Sequence, residues 1–271
     1  MQTAIVTGIS SGIGKETAKL LQEHAIQVFG LARKATATTD LAALGVQLID
    51  VDLNDTNQIK KAMTQITAQT SRIDLLVNIA GMSVNGPTET LPLAALTTEY
   101  QVNVFGPLQL IQRVLPTMRA QHAGTIINVT SSAAHAIQPF MGAYASSKSA
   151  LLTLTNSLRI EAAPFGINVV NIEPGAIKTP MLAAPPEYVK RSKDTVYAAA
   201  ATAYDKNTTA FLNRIAITPQ KVAALILKIS TLRKPKPTFR IGTPATLMML
   251  MERFLSIKLI TRLVIRTTRV K

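Results

Sequence analysis

The sequence predicts an α/β fold, a doubly wound parallel sheet with helices on both faces, and three observations carry that prediction. Short β-branched apolar runs alternate with amphipathic stretches along the 271 residues, which argues strands and helices stacked in three α/β/α layers. The runs are nearly continuous in Val, Ile and Leu, as strands with both faces buried must be. The first run ends in a glycine-rich turn that passes straight into a helical stretch.

In chain order the expected strands are TAIVT (3–7), IQVFGLA (26–32), VQLIDV (46–51), IDLLVNI (73–79), GTIINVT (124–130) and INVVNI (167–172). Segments of helical period lie between them, near 12–24, 55–70, 99–120 and 143–162. After residue 175 the period loosens. Residues 180–214, rich in Ala, Pro and polar side chains, read as a lid inserted over one end of the sheet. A helix at about 219–231 and the turn RKPKPTFRIG then lead into a short last strand. Residues 1–243 therefore read as one domain, and 244–271 as a basic amphipathic helix appended to it.

Composition narrows the chemistry. With 47% hydrophobic and 16% charged residues the chain is globular. It has no cysteine, which excludes a disulfide framework, a thiolate metal site and a cysteine nucleophile. His24, His122 and His135 lie far apart without ligand spacing, so no metal is expected. The start MQTAIVTG shows no secretory pattern, and no uncharged apolar stretch reaches the ~18–20 residues of a membrane span. A cytoplasmic protein is expected. The net charge is +14, but residues 233–271 hold ten Lys/Arg and one acid, giving +9, while the other 232 residues hold nineteen and fourteen, giving +5. Basic character is concentrated in the tail, so no nucleic-acid face is expected on the main body.

The glycine turn TGISSGIG (7–14) has the spacing G-x-x-x-G-x-G, a variant of the dinucleotide-binding fingerprint. Gly8, Gly12 and Gly14, with Ser10, Ser11 and Ile13 between them, would let the backbone approach a pyrophosphate at the N-terminus of the new helix. The second strand selects the nucleotide. An acid at its end would bind the ribose 2′-hydroxyl of NAD, and a basic residue suits the 2′-phosphate of NADP. Here Ala32 stands where the acid is expected, and Arg33 and Lys34 follow, so NADP(H) is the expected cofactor. The other reading of Arg33 and Lys34 is a solvated loop. Asp52, after the third strand, is a candidate acceptor for the adenine amino group, while Asn54 and Asp55 are candidate caps of the next helix. Tyr144 and Lys148 are four residues apart, a spacing that puts both on one helix face.

Taken together, TGISSGIG (7–14), NIAG (78–81), NVFG (103–106), Ser131 thirteen residues before Tyr144, YASSK (144–148), and PG (174–175) with Thr179 resemble the short-chain dehydrogenase/reductase family. The resemblance is strong over about 1–180 and weak beyond. It implies a Rossmann-type fold, with Tyr144 as general acid/base and Lys148 as its electrostatic tuner. It also implies Ser131 as donor to the carbonyl oxygen and Asn103 as a link in a water-mediated proton relay. Ser132 remains the alternative donor. Asn78, Ala80, Gly81, Pro174, Gly175, Ile177 and Thr179, with Tyr144 and Lys148, would complete the cofactor contacts. An ammonium and a positive nicotinamide beside the phenol would lower its pKa from ~10 toward neutrality. Two departures stand out: Ile79 where the family has a second Asn, which would loosen bonding between strands, and His135 where Gly is common.

The implied reaction is hydride transfer between a nicotinamide and a small-molecule carbonyl or alcohol, with a homodimer or homotetramer as the assembly. A non-catalytic NADP(H) sensor or scaffold is the rival from another class, and an epimerase or dehydratase the weaker enzymatic one. In the lid, Met181, Leu182, Val189, Tyr197, Tyr204 and Phe211 are candidates for an apolar pocket. In the tail, Lys258, Arg262, Arg266 and Arg269 form one basic stripe, with Leu250, Phe254, Ile257, Ile260 and Val264 largely away from it. That pattern suits peripheral contact with an anionic membrane or packing on protein. The tail weakly resembles those of steroid- and retinol-type dehydrogenases, which implies a lipophilic substrate.

Overall fold

The apolar runs become seven strands: β1 Thr3–Thr7, β2 Gln27–Ala32, β3 Gln47–Asp50, β4 Leu75–Asn78, β5 Gly124–Val129, β6 Ile167–Pro174 and β7 Thr238–Ile241. A computed structural model of the chain describes all residues except 136–137, 185–186, 243–249, 251–253 and 269–271. The strands form one sheet in the order β3-β2-β1-β4-β5-β6-β7, parallel at every pairing. Strand order reverses between β1 and β4, and the crevice beyond the carboxyl ends of the strands at such a point is where an open α/β sheet binds ligands.

Every residue of β1 is buried, and alternate side chains feed opposite layers. Ala4 and Val6 join Ala18 and Leu21 of α1 (Gly12–Glu23) on one face, whereas Ile5 joins Ile59, Met63 and Leu110 on the other. The second layer comes from α3 (Thr56–Thr67) and α5 (Gly106–Gln121). Asp55 caps α3, accepting from the amides of Asn57 and Gln58 at 2.8 and 3.2 Å. Between β2 and β3 lies the short α2 (Thr39–Ala43).

The helix expected at 99–120 is two helices. α4 (Leu93–Tyr100) runs into a π-helical turn, Gln101–Phe105, before α5 begins at Gly106. Turns of this kind recur at functional sites, and this one holds Asn103. A Cβ on Gly106 would lie 2.9 Å from Leu53 Cβ, so glycine permits the close approach of the joint. The long helix α6 (Gly142–Ala162) follows β5 and carries Tyr144 and Lys148.

The lid is more ordered than its composition suggests. It comprises α7 (Pro180–Ala183), α8 (Glu187–Ser192) and α9 (Ala198–Ile215), before α10 (Pro219–Ser230) returns to the sheet beside α1. Its core is aromatic: Tyr188 stacks on Phe140 at 5.7 Å between ring centroids, and Tyr204 meets both rings edge-on. Of the six expected pocket residues, Tyr204 is buried in this cluster with Val189 and Tyr197 packed on it, Tyr197 also bonds Glu89 Oε2 at 2.6 Å, and Met181 and Phe211 face solvent. A ring shared among helices serves lid packing.

The tail is not one continuous helix. α11 begins at Ile257, with Ser256 offering both its carbonyl and its hydroxyl to the Leu259 amide, at 2.9 and 3.3 Å, and it ends at Thr268. A serine just ahead of an apolar run starts a helix rather than continuing one. α11 packs on α9 with Ile260 buried. Arg269 and the expected helical residues 244–249 and 251–253 lie outside the described residues.

Candidate active site

The glycine turn is built as its spacing requires. Gly8 and Gly12 have φ of +77° and +55°, the left-handed region that glycine enters without steric cost. A Cβ on Gly14 would fall 2.2 Å from the Gly8 carbonyl oxygen, and one on Gly8 would fall 2.9 Å from Ala80 Cα. Ser11 precedes α1 in extended conformation without capping it through its side chain, and Ser10 beside it is exposed. The Thr7 hydroxyl accepts the amides of Ile79 and Ala80 at 2.9 and 3.0 Å, tying the turn to the end of β4. Thr179 reaches the turn from the far side of the sheet, where a Cβ on Gly12 would lie 2.9 Å from its Cγ2.

Gly8 donates to Leu31 O at 2.8 Å, which sets the end of β2, and hence exposed Arg33 and Lys34, beside the turn. Neither makes an ion pair among the described residues. The nearby acid Asp50 is taken up by Thr36, through its amide at 3.0 Å and its hydroxyl at 2.9 Å. Those bonds hold the Asp50 carboxyl below its ordinary pKa. Asp52 spends one oxygen on the Asn54 amide at 2.9 Å.

Ile79 does not loosen the strands, because the Asn78 side chain before it and the backbone amides of Ile79 and Ala80 carry the bonding. Asn78 Nδ2 donates to Asn128 Oδ1 at 2.8 Å, and Asn128 Nδ2 to Thr155 Oγ1 at 2.9 Å. Asn78 Oδ1 is buried without a partner among the described residues. At the edge of β6, Gly175 donates to Ile241 O at 2.8 Å, and the buried Ile177 bridges to Ile217.

Tyr144, Ser131, Lys148 and Asn103 converge at the carboxyl edge of β4 and β5. The Ser131 hydroxyl accepts the Ala133 amide at 3.1 Å and lies beside the Tyr144 phenol. Ser132 is buried in the following turn. Lys148 is buried, its Nζ donating to Val129 O at 3.1 Å and lying 5.8 Å from the Tyr144 ring centroid. Asn103 is fully committed: Oδ1 accepts the Met82 amide at 2.9 Å, and Nδ2 lies 2.9 Å from Met82 O and 3.0 Å from Ser147 Oγ. Gly81 makes room for the group, since a Cβ there would stand 3.2 Å from Asn103 Oδ1 and 3.3 Å from Lys148 Nζ.

The electrostatics differ from the expectation of a lowered tyrosine. Burial raises the Tyr144 pKa, the bond from Ser131 opposes this, and the charge of Glu99 raises it further. Burial lowers Lys148 to about 8, with Glu99 opposing. Glu99 has no exposed surface and is itself raised to about 7 by burial, against the Val84 amide and Lys148. The sequence reading missed Glu99, although it sits one helical turn before Asn103. His135 was noticed but not placed. Its Nε2 lies 3.2 Å from Oε1 of buried Glu173, which also pairs with Arg240 Nε at 2.8 Å and accepts from Asn171. Asn171 in turn holds the Thr130 hydroxyl at 2.7 Å, next to Ser131.

A doubly wound sheet, a glycine turn at its switch point and a tyrosine–lysine pair beneath a serine define a nicotinamide-type oxidoreductase architecture. The family model of the short chain dehydrogenases matches residues 2–188. The chain belongs to that family and is an oxidoreductase of it. It is 32% identical to a probable short-chain type dehydrogenase/reductase of Helicobacter pylori, VdlC, over 93% of this chain and 92% of that one. It is 31% identical to the NADPH-dependent 3-dehydrocapnine reductase of Ornithobacterium rhinotracheale, over 88% and 87% respectively. A short chain dehydrogenase from Burkholderia cenocepacia, solved in complex with NADP, matches at a TM-score of 0.76 and 25% identity, covering 97% of this chain and 99% of that one.

Proposed function

We propose that the protein transfers hydride between NADP(H) and the carbonyl or secondary alcohol of a lipophilic small molecule. The observation that carries this reading is the placement of Ser131 beside the Tyr144 phenol with buried Lys148 Nζ 5.8 Å from its ring centroid. The chain fits the cofactor. The turn at Gly8, Gly12 and Gly14 leaves a backbone cradle that a Cβ would fill. Arg33 and Lys34 are exposed where a 2′-phosphate would lie, and the oxygens of the neighbouring Asp50 are engaged by the amide and hydroxyl of Thr36. Asn78, Ala80, Gly81, Pro174, Gly175, Ile177 and Thr179 would hold the remainder, and Asp52 keeps one oxygen for the adenine. When bound, the nicotinamide supplies or accepts the hydride.

The chain's own residues do the rest. Ser131 and Tyr144 would grip the substrate oxygen, and Tyr144 gives it a proton in reduction or takes one in oxidation. Lys148 keeps positive charge beneath the phenol. Asn103 fixes the peptide at Met82 and the hydroxyl of Ser147, which orders the ground on which a water relay to Lys148 would rest. The expected homodimer or homotetramer would cover the exposed apolar residues Phe105, in the turn before α5, and Leu154 and Ile160, on α6, and sedimentation would count the copies. The basic face of α11 is read as a peripheral contact with an anionic membrane that helps deliver such substrates. No described helix is long and apolar enough to cross a membrane.

Oxidation of NADPH with a panel of lipophilic and small ketones tests the reading. Binding of NADPH without turnover of any ketone would favour the sensor or scaffold instead. Arg33→Ala is expected to raise KM for NADPH about tenfold and KM for NADH little, because one charge-assisted hydrogen bond contributes ~1.5–3 kcal/mol. Equal wild-type use of NADH and NADPH would rule out the 2′-phosphate assignment.

A further inference from the structure

Glu99 is a carboxylate in the protein interior that the proton chemistry above does not use. Its Oε1 lies 3.4 Å from Asn103 Nδ2, and the Val84 backbone is beside it. Its Oε2 is buried with no hydrogen-bond partner among the described residues. An ionised carboxylate so sparsely bonded persists inside a protein only where a positive charge faces it. α4 packs on the π turn and on α6. The turn 101–105 and the loop 79–86 carry no titratable side chain, so the groups facing Glu99 are Tyr144 and Lys148 of α6. Among the described residues Lys148 makes no ion pair, and its Nζ donates to the backbone carbonyl of Val129. Asn103 stands between them, touching Glu99 through Nδ2 and sharing the Gly81 niche with Lys148 through Oδ1.

We propose that Glu99 is a positioning residue of the catalytic centre, whose buried charge keeps Lys148 an ammonium and so sets the pH range over which Tyr144 exchanges protons. The proposal rests on the hydride-transfer reading above. The sign follows from the direction of each effect. Glu99 works to raise both Lys148 and Tyr144. Without its charge, both groups lose their protons at lower pH. Ketone reduction needs the ammonium and the protonated phenol, so its alkaline limb must move toward acid whichever group sets it.

Glu99→Gln keeps the shape and an oxygen for Asn103 and Val84 while removing the charge. The alkaline limb of kcat/KM for ketone reduction is expected to move down by about one pH unit, at the low end of shifts caused by a nearby opposite charge. A merely structural Glu99 would leave the limb in place, and an unmoved limb in an active variant overturns the proposal while leaving hydride transfer intact. Failure of the wild type on every ketone would overturn hydride transfer, and thermal stability then decides on Glu99. Its folded pKa of about 7 lies above the ordinary 4.5, so the stability it contributes is full below 4.5 and is lost as pH rises through about 7. The Tm of the wild type is therefore expected to fall over that window relative to Glu99→Gln, and a fall that Lys148→Gln leaves at the same pH overturns the proposal. Should Glu99→Gln not fold, Lys148→Gln replaces it: without the ammonium the fall in Tm should move to higher pH, and no movement is the contrary result.

Discussion

Tyr144→Phe is expected to lower kcat for ketone reduction by ~10²–10⁴-fold, the usual contribution of a positioned general acid, while NADPH binding and folding persist. The ring keeps its place on α6, and the lost group is the hydroxyl beside Ser131. Ser131 retains the Ala133 amide at 3.1 Å, so folding should lose no more than about 1 kcal/mol, the scale of one hydrogen bond. The pH profile sharpens the result. Burial keeps the phenol protonated above its ordinary range, so the acid is present throughout neutral pH. Lys148, lowered to about 8, is then the group whose loss of charge ends activity as pH rises. A Phe variant that retains more than about a tenth of wild-type turnover would remove Tyr144 from the chemistry.

The parts of the fold that were legible in the sequence are those where one residue type answers one local demand. Glycine at Gly8 and Gly12 meets a positive φ, Val and Ile runs meet a sheet buried on both faces, and Asp55 meets the open amides of α3. The Tyr144–Lys148 pair was legible because helical spacing fixes it. What escaped depends on distant partners. Glu99 reads as an ordinary surface residue of a helix until α4 packs on α6 and buries it. The lid escaped because its helices owe their order to Phe140, Tyr188 and Tyr204, contributed by segments up to 64 residues apart, rather than to any period of their own. The tail misled for the opposite reason. Its period is strong, yet part of its apolar side is already occupied by α9, and Ser256 interrupts the run.

That packing changes what the tail offers a membrane, and with it the second large effect. Ile260 is buried, and Leu263 and Val264 are half-buried, so this side of α11 is not free to enter lipid. Lys258, Arg262 and Arg266 recur every four residues and are all exposed, with Leu259 and Ile265 exposed as well. Ile257, 71% exposed, stands at the start of the helix, and Phe254, 72% exposed, lies three residues ahead of it. Contact with a bilayer would therefore be mainly electrostatic, aided by those apolar side chains. Each basic residue near an anionic surface adds ~1 kcal/mol, so replacing Lys258, Arg262 and Arg266 together with Gln should weaken vesicle binding about 100-fold. Binding of the full chain to phosphatidylserine-containing vesicles should also fall as salt shortens the screening length from ~10 Å at 0.1 M. Co-sedimentation with anionic and neutral vesicles measures both. Equal binding to the two vesicle types, or none at low salt, would reassign the basic face to a contact between protein chains, and the triple variant should then sediment as a smaller assembly.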